Sequence, residues 1–201
     1  MMTGFRLSSK MKTGLLLSAV MLLISACGND GGGETTSITV QKDGTILSYI
    51  VENFEQDYYD SEELQQAILM EAADYNKTAG DGRINVEKVN VDSGVATVRM
   101  TYQEAEDYAG FNHMVFFVGI AENAGEDYEL NVVLSGTKDA NDTVGKADIL
   151  AMKDYKLLIT DVQEPVFLDG HAEYISDNVT VSSDRKNVQL SGDGLGYVLY
   201  K

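Results

Sequence analysis

Turn signals cut this chain into strand-length pieces, and that punctuation constrains the fold more than any other feature. Asp43-Gly44 separates residues 38–40 from residues 45–54. Asp-Gly supplies the left-handed backbone that a tight hairpin turn needs. Asp92-Ser93-Gly94 separates residues 83–91 from 95–102 in the same way. In residues 95–102 the pattern alternates, with Ala96, Val98, Met100 and Tyr102 on one side and Thr97, Arg99 and Thr101 on the other. That is the period of a half-buried strand. Its partner slips phase between Val86 and Val89, which predicts a bulge near Glu87-Lys88. The separators Asp169-Gly170, Ser183-Asp184 and Gly192-Asp193-Gly194 divide the last third. They predict strands at 155–160, 166–168, 171–175, 179–181, 187–190 and 197–200, forming a small antiparallel sheet. A further short strand is predicted at 130–134, ahead of a polar loop at 138–143.

Helical periodicity is strongest over residues 61–77. Leu64, Ala67, Ile68, Ala72 and Tyr75 form one apolar stripe. Asp60 or Ser61 serves as N-cap, with Glu63 in capping-box spacing, and Gly80 and Gly82 stop the helix. Shorter helices are predicted at 103–109, with Thr101 as N-cap, and at 146–152. Residues 114–120 have the composition of a buried strand. Asn112 can instead cap a helix running to Asn123, with Gly125 ending it, and the reading leans to helix. The expected fold class is α+β: antiparallel sheet or sheets with two to three helices and a strand-rich C-terminal third. Residues 38–201 form a single domain, or two subdomains at 38–135 and 144–201.

The N-terminal stretch follows different rules. Arg6, Lys10 and Lys12 precede the apolar run GLLLSAVMLLI, and Ser25-Ala26-Cys27 follows. A charged region, an apolar core and a small-residue boundary make an export signal over residues 1–26. The run is too short to span a bilayer comfortably. The boundary ISAC resembles the lipobox of bacterial lipoproteins, with Ile24 where that family most often has leucine. The resemblance implies that Cys27 is lipidated, palmitate included, and becomes the first mature residue. An ordinary secretory signal that leaves Cys27 as a free thiol is the alternative. Cys27 is the single cysteine, so no internal disulfide can form. Residues 27–37 read as a flexible Gly-rich tether reaching roughly 30 Å at most. The expected location is the extracellular side of the cell membrane, held to the lipid bilayer by the anchor.

Without residues 1–26 the chain keeps all 32 acids and 12 of its 15 bases, a net charge of −20. Such a chain is repelled by nucleic acid, and no basic stripe offsets this, so no nucleic-acid partner is expected. Eleven tyrosines against six phenylalanines and no tryptophan place many rings at the core boundary, hydroxyls outward.

Chemical motifs are sparse. The two histidines, His113 and His171, lack metal-ligand spacing, and with Cys27 committed to lipid no thiolate remains for zinc. No GxSxG elbow or SxxK motif is present. A calcium loop centred on Gly82 fails, because Lys77, Ala79 and Lys88 fall where oxygen donors belong. The run 139–143 lacks the following glycine and terminal acid. No catalytic residue, metal ligand or cofactor is therefore assigned. Tyr58 and Tyr59, set among acids in DYYD, and His171 are the candidate ligand contacts.

DYYD leading into an acidic helix, the hairpin VNVDSGVATVRMTY and the closing LGYVLYK together resemble small uncharacterised lipoproteins of clostridial Gram-positive bacteria. That resemblance implies a compartment and no mechanism. The expected function is non-enzymatic binding or scaffolding of an envelope protein or glycan. The alternatives are an envelope hydrolase of glycan or peptide using carboxylates or His171, and a subunit of a surface assembly.

Overall fold

The computed structural model describes residues 35–56, 60–124 and 128–201. The expected export signal, Cys27, most of the expected tether, and Tyr58 and Tyr59 lie outside them. In chain order the elements are β1 (Ser37–Val40), β2 (Ile46–Asn53), α1 (Ser61–Ala79), β3 (Ile84–Asp92), β4 (Val95–Tyr102), α2 (Ala105–Asn112), β5 (Phe116–Gly119), α3 (Ala121–Ala124), β6 (Leu134–Gly136) and β7 (Thr143–Val144). They continue with α4 (Lys146–Ala151), β8 (Lys156–Thr160), β9 (Val166–Phe167), β10 (Ala172–Ile175), β11 (Val179–Val181), β12 (Asn187–Leu190) and β13 (Gly196–Tyr200). The class is α+β, strand-rich, and the described residues form two predominantly antiparallel sheets and four helices, two of them eight residues or longer.

The first sheet has the strand order β11-β12-β9-β1-β2-β4-β3, and the second β5-β8-β13-β10-β6-β7. The C-terminal strands therefore do not form the one small sheet expected. β9, β11 and β12 join the N-terminal strands, while β8, β10 and β13 build the second sheet. The parallel pairing of β1 with β9 makes the join, aligning Ile38 with Val166 and Thr39 with Phe167. Two- and three-residue strands carry too little pattern to announce partners so far away in sequence.

The first sheet is apolar on one face. Cross-strand partners such as Ile46 and Tyr102, or Ile38 and Ser48, share a side. That side carries Val188, Val166, Ile38, Ile46, Met100 and Ile84, all buried. Thr97, Arg99 and Thr101 take the opposite face, as the alternation requires. The bulge falls where the phase slip places it, with the β3–β4 register shifting between Val86 and Lys88. Gly94 (φ +77°) closes that hairpin, and the left-handed backbone there suits glycine.

α1 covers part of this face. Asp60 caps it, its Oδ1 accepting from the amides of Glu62 and Glu63 at 2.7 and 3.2 Å. Leu64, Ile68 and Ala72 are buried. At the far end the Asn76 side-chain amide brackets Ile84, donating to its carbonyl and accepting from its N–H, both at 2.8 Å.

The second sheet is buried on both faces. Leu158, Val198, Ala172 and Tyr200 join the core shared with the first sheet and α1. Leu157, Ile159 and Leu199 face the other way, onto Ala121, Ala124, Leu130 and Ile149. Each sheet takes strands from both sides of residues 136–144.

Three local expectations need correction. The helix leaning to residues 112–123 is a strand, β5, followed by the single turn α3. Asn112 ends α2 instead of starting a helix, and His113 follows it in the left-handed conformation (φ 56°). β5 then pairs residue for residue with β8, Phe116 to Thr160 through Gly119 to Leu157. Thr101 lies inside β4 and caps nothing. Glu104 is the N-cap of α2, and its N–H donates to Oδ2 of Asp107 at 3.1 Å. Finally, residues 130–133 are not a strand, and β6 begins at Leu134.

Tyrosine also runs deeper than expected. Tyr102, Tyr108 and Tyr200 are almost fully buried, and burial pushes all three phenols well above their ordinary range. Tyr102 uses its hydroxyl inside, accepting from the Asn112 amide at 3.4 Å. Tyr102, Tyr108, Phe111 and Phe116 form a chain of ring contacts with centroids 4.8–5.9 Å apart.

Candidate functional site

β5 is an end strand of the second sheet, and a cleft of about 410 Å³ runs beside it. The strand contributes its whole length, Phe116–Gly119, to the wall. α2 contributes Glu106 and Ala109, α3 contributes Asn123, and Tyr128 completes the lining. The local sequence builds this in three steps. The left-handed turn at His113 reverses the chain after α2, and the Met114 N–H donates to the Ala109 carbonyl at 3.1 Å. Asp161 then fixes the register: its carboxylate accepts from the Val115 N–H at 2.8 Å, and its own N–H donates to the Val115 carbonyl at 3.2 Å. Last, the turn after Ile120 starts α3, whose Ala124 carbonyl accepts from the Tyr128 N–H at 2.9 Å.

Side chains on the two sides of β5 differ. Phe116 sits under Tyr108, 4.8 Å between centroids, and is 1% exposed. Phe117 points to the opposite face, 5.7 Å from the Tyr128 ring. A Cβ on Gly119 would lie 2.9 Å from Cζ of Phe117, so glycine leaves room for that ring. Glu106 and Asn123 are exposed at the mouth. The cleft is thus lined by backbone and aromatic rings with a carboxylate at its rim. Its volume lies within the roughly 300–1,000 Å³ that ligand clefts occupy.

A second polar feature lies behind α2. Asp107 is almost fully buried and holds three elements together. Its Oδ1 accepts from Nε of Arg83 at 2.9 Å and from the Tyr75 hydroxyl at 3.3 Å. Its Oδ2 lies 2.9 Å from a terminal guanidinium nitrogen of Arg83 and accepts from the Glu104 N–H at 3.1 Å. Arg83 also reaches Glu104 at 2.6 Å, and that bond holds the Glu104 carboxyl below its usual range. Burial, helped by Asp107, pushes the Tyr75 phenol up. With every acceptor of Asp107 taken, the cluster reads as a structural clamp. Lys156 and Asp169 form another ion pair, at 2.6 Å, but there Oδ1 of Asp169 and the buried Tyr200 hydroxyl have no hydrogen-bond partner among the described residues.

Carboxylates of another character sit at Glu52 and Glu164. Glu52 lies near the end of β2, and Glu164 lies in the loop between β8 and β9. Glu164 is half-buried and Glu52 exposed; partial desolvation raises the pKa of both, and the charge of Glu164 raises Glu52 further.

Of the residues singled out by sequence, His171 is exposed, and its main chain pairs with Lys201: its N–H donates at 2.7 Å and its carbonyl accepts at 3.2 Å. His113 is also exposed, at the end of α2. Among the described residues neither imidazole forms a hydrogen bond or ion pair, and no group of three His, Cys, Asp or Glu side chains converges as a metal site. No helix among them is long and apolar enough to cross a membrane. Sequence reasoning missed the cleft, because it depends on β5 being an end strand. The strand-like composition of residues 114–120 was the available signal. Compared with models of known families, with curated proteins and with solved structures, the chain matches none.

Proposed function

We propose that this chain is a lipid-anchored extracytoplasmic protein whose folded body binds or scaffolds a component of the cell envelope. The signal-like N-terminus and the ISAC boundary at Cys27 support the anchor. The observation that carries the binding role is the cleft beside β5, with aromatic rings on its walls and Glu106 at its rim. Retrieval of the anchored chain from its own membranes, after mild crosslinking, tests this. A specifically enriched envelope protein or glycan is the expected result, and an empty retrieval contradicts it. Cys27→Ala tests the anchor: lipid labelling should vanish and precursor accumulate. Normal cleavage with release of the domain would point to an ordinary secretory signal.

The envelope-hydrolase reading is favoured by one observation, the raised carboxylates Glu52 and Glu164. Acid–base catalysis uses carboxyl groups displaced toward neutrality. Hydrolysis of envelope glycan or peptide that Glu164→Gln abolishes would establish it. Unchanged hydrolysis in that variant would remove it.

A further inference from the structure

We propose that the side of β5 left unpaired among the described residues is a docking edge for an extended, positively charged polypeptide segment, which joins the second sheet as an added strand. This rests on the binding reading above and names the chemistry of the partner.

The hydrogen-bond alternation of β5 decides which groups are on offer. Antiparallel strands alternate between residues bonded to the neighbour and residues facing away. The Asp161 N–H bonds the Val115 carbonyl, so Val115 is a bonded position. Along the β5–β8 register Phe117 and Gly119 are then bonded to β8, while Phe116 and Val118 face away. Phe116 is sealed beneath Tyr108. Val118 and Gly119 are partly exposed, and Ile120 beyond them is 39% exposed. The accessible strip is therefore the N–H and carbonyl of Val118, leading toward Ile120.

Room and charge complete the case. A new strand lies about 4.8 Å from its neighbour and points side chains alternately to both faces. The cleft gives it space between β5 and α2, with the Phe117–Tyr128 pair on one face. Glu106 stands exposed at the rim, and among the described residues no cation pairs with it. The chain carries a net charge of −17, which favours a cationic strand and opposes edge-to-edge pairing with a second copy.

The other sheet ends are closed or minimal. β3 is bulged, carries the Glu87–Arg99 ion pair beside it, and has its first residue bracketed by Asn76. These are devices that keep an edge from recruiting a partner. β11 and β7 are three and two residues long. Strand addition, with main-chain bonds for affinity and side pockets for choice, is an established way to bind extended peptides.

The test uses the full chain in detergent micelles, with empty micelles as blank, and fluorescent eight-residue peptides read by anisotropy. One peptide alternates Lys and Val, one alternates Glu and Val, and one is the Lys–Val peptide N-methylated at alternate residues. The Lys–Val peptide should bind at least tenfold more tightly than the other two. Val118→Pro should weaken it by at least tenfold, because that N–H faces away from β8 and proline there breaks no internal bond. Glu106→Lys, on an exposed helical position, should weaken it severalfold and keeps the test open if the proline variant fails to fold. Equal binding of all three peptides, or full binding by a folded Val118→Pro, overturns the proposal. So does a dimer of the chain that Val118→Pro dissolves. If no peptide binds while the anchored chain still retrieves a specific envelope component, the docking edge is wrong and the binding reading stands. If nothing is retrieved either, both fall.

Discussion

Adjacent residues in β4 and β8 show how differently the two sheets are built. In β4, Met100 is fully buried while its neighbour Arg99 lies on the outer face, its guanidinium paired with Glu87 at 2.7 Å. In β8, Leu157, Leu158 and Ile159 are consecutive and all fully buried. The first sheet therefore has one dry face and one mostly solvent-facing one, on which Leu47 is the buried apolar exception. The second is a central layer, with the first sheet and α1 on one side and α3, α4 and the chain around Leu130 on the other. A sheet wet on one side writes an alternating sequence, whereas a sheet covered on both writes a continuous apolar run. The difference extends to the edges. The exposed sheet guards its long edge at β3, while the covered sheet leaves β5 beside an open cleft.

This contrast can be broken by single substitutions. The largest effect is expected for Leu157→Ala and Leu158→Ala, which point to opposite faces of β8. Each should cost about 3–5 kcal/mol in urea unfolding, as large-to-small changes in a packed core do. A marked inequality between them would mean that one face of the second sheet is not truly packed. Asp107→Ala comes next, at about 2–3 kcal/mol. It removes the buried partner of Arg83 and of the Tyr75 hydroxyl, although Arg83 keeps Glu104 at 2.6 Å and its partial exposure moderates the loss. Arg99→Ala on the wet face should cost less than about 1 kcal/mol, the scale of an exposed ion pair. A cost like that of Leu157→Ala would contradict a wet outer face.

Glu164 sharpens the comparison through pH. Its folded-state pKa is raised by burial above the ordinary value of 4.5, so the folded chain holds this proton more tightly than the unfolded one. The contribution to stability then falls as pH rises from the unfolded value through the folded one. Glu164→Gln removes that loss. Its unfolding midpoint should gain on the parent as pH rises from 4.5 toward neutrality, and parallel midpoint-versus-pH curves would contradict the burial of this loop.

Much of the local structure was legible in the sequence, and little of the assembly was. Asp60 as cap, the stripe Leu64–Ile68–Ala72, the β3 bulge and the C-terminal strand positions all follow from periodicity and turn chemistry. Which sheet each strand joins does not, since β9 offers two residues and its partner β1 lies over a hundred positions away. The helix leaning for residues 112–123 failed for a related reason. Asn112 caps equally well in either direction on paper, and only the ladder with β8 decides that Phe116–Gly119 is extended. The cleft inherits that failure, because it exists through the position of β5 at the end of the sheet. His171 follows the Asp169-Gly170 turn as the sequence places it, and its ring is exposed while its main chain pairs with Lys201.

Residue-resolved amide hydrogen exchange on the full chain tests the central contrast most directly. Protection tracks local opening and main-chain bonding. The account predicts that the β8 and β13 amides exchange slowest, that Phe117 is protected by its bond to β8, and that Val118, one residue on, exchanges fast. Equal protection of Phe117 and Val118, or β2 and β4 outlasting β8 and β13, would contradict it.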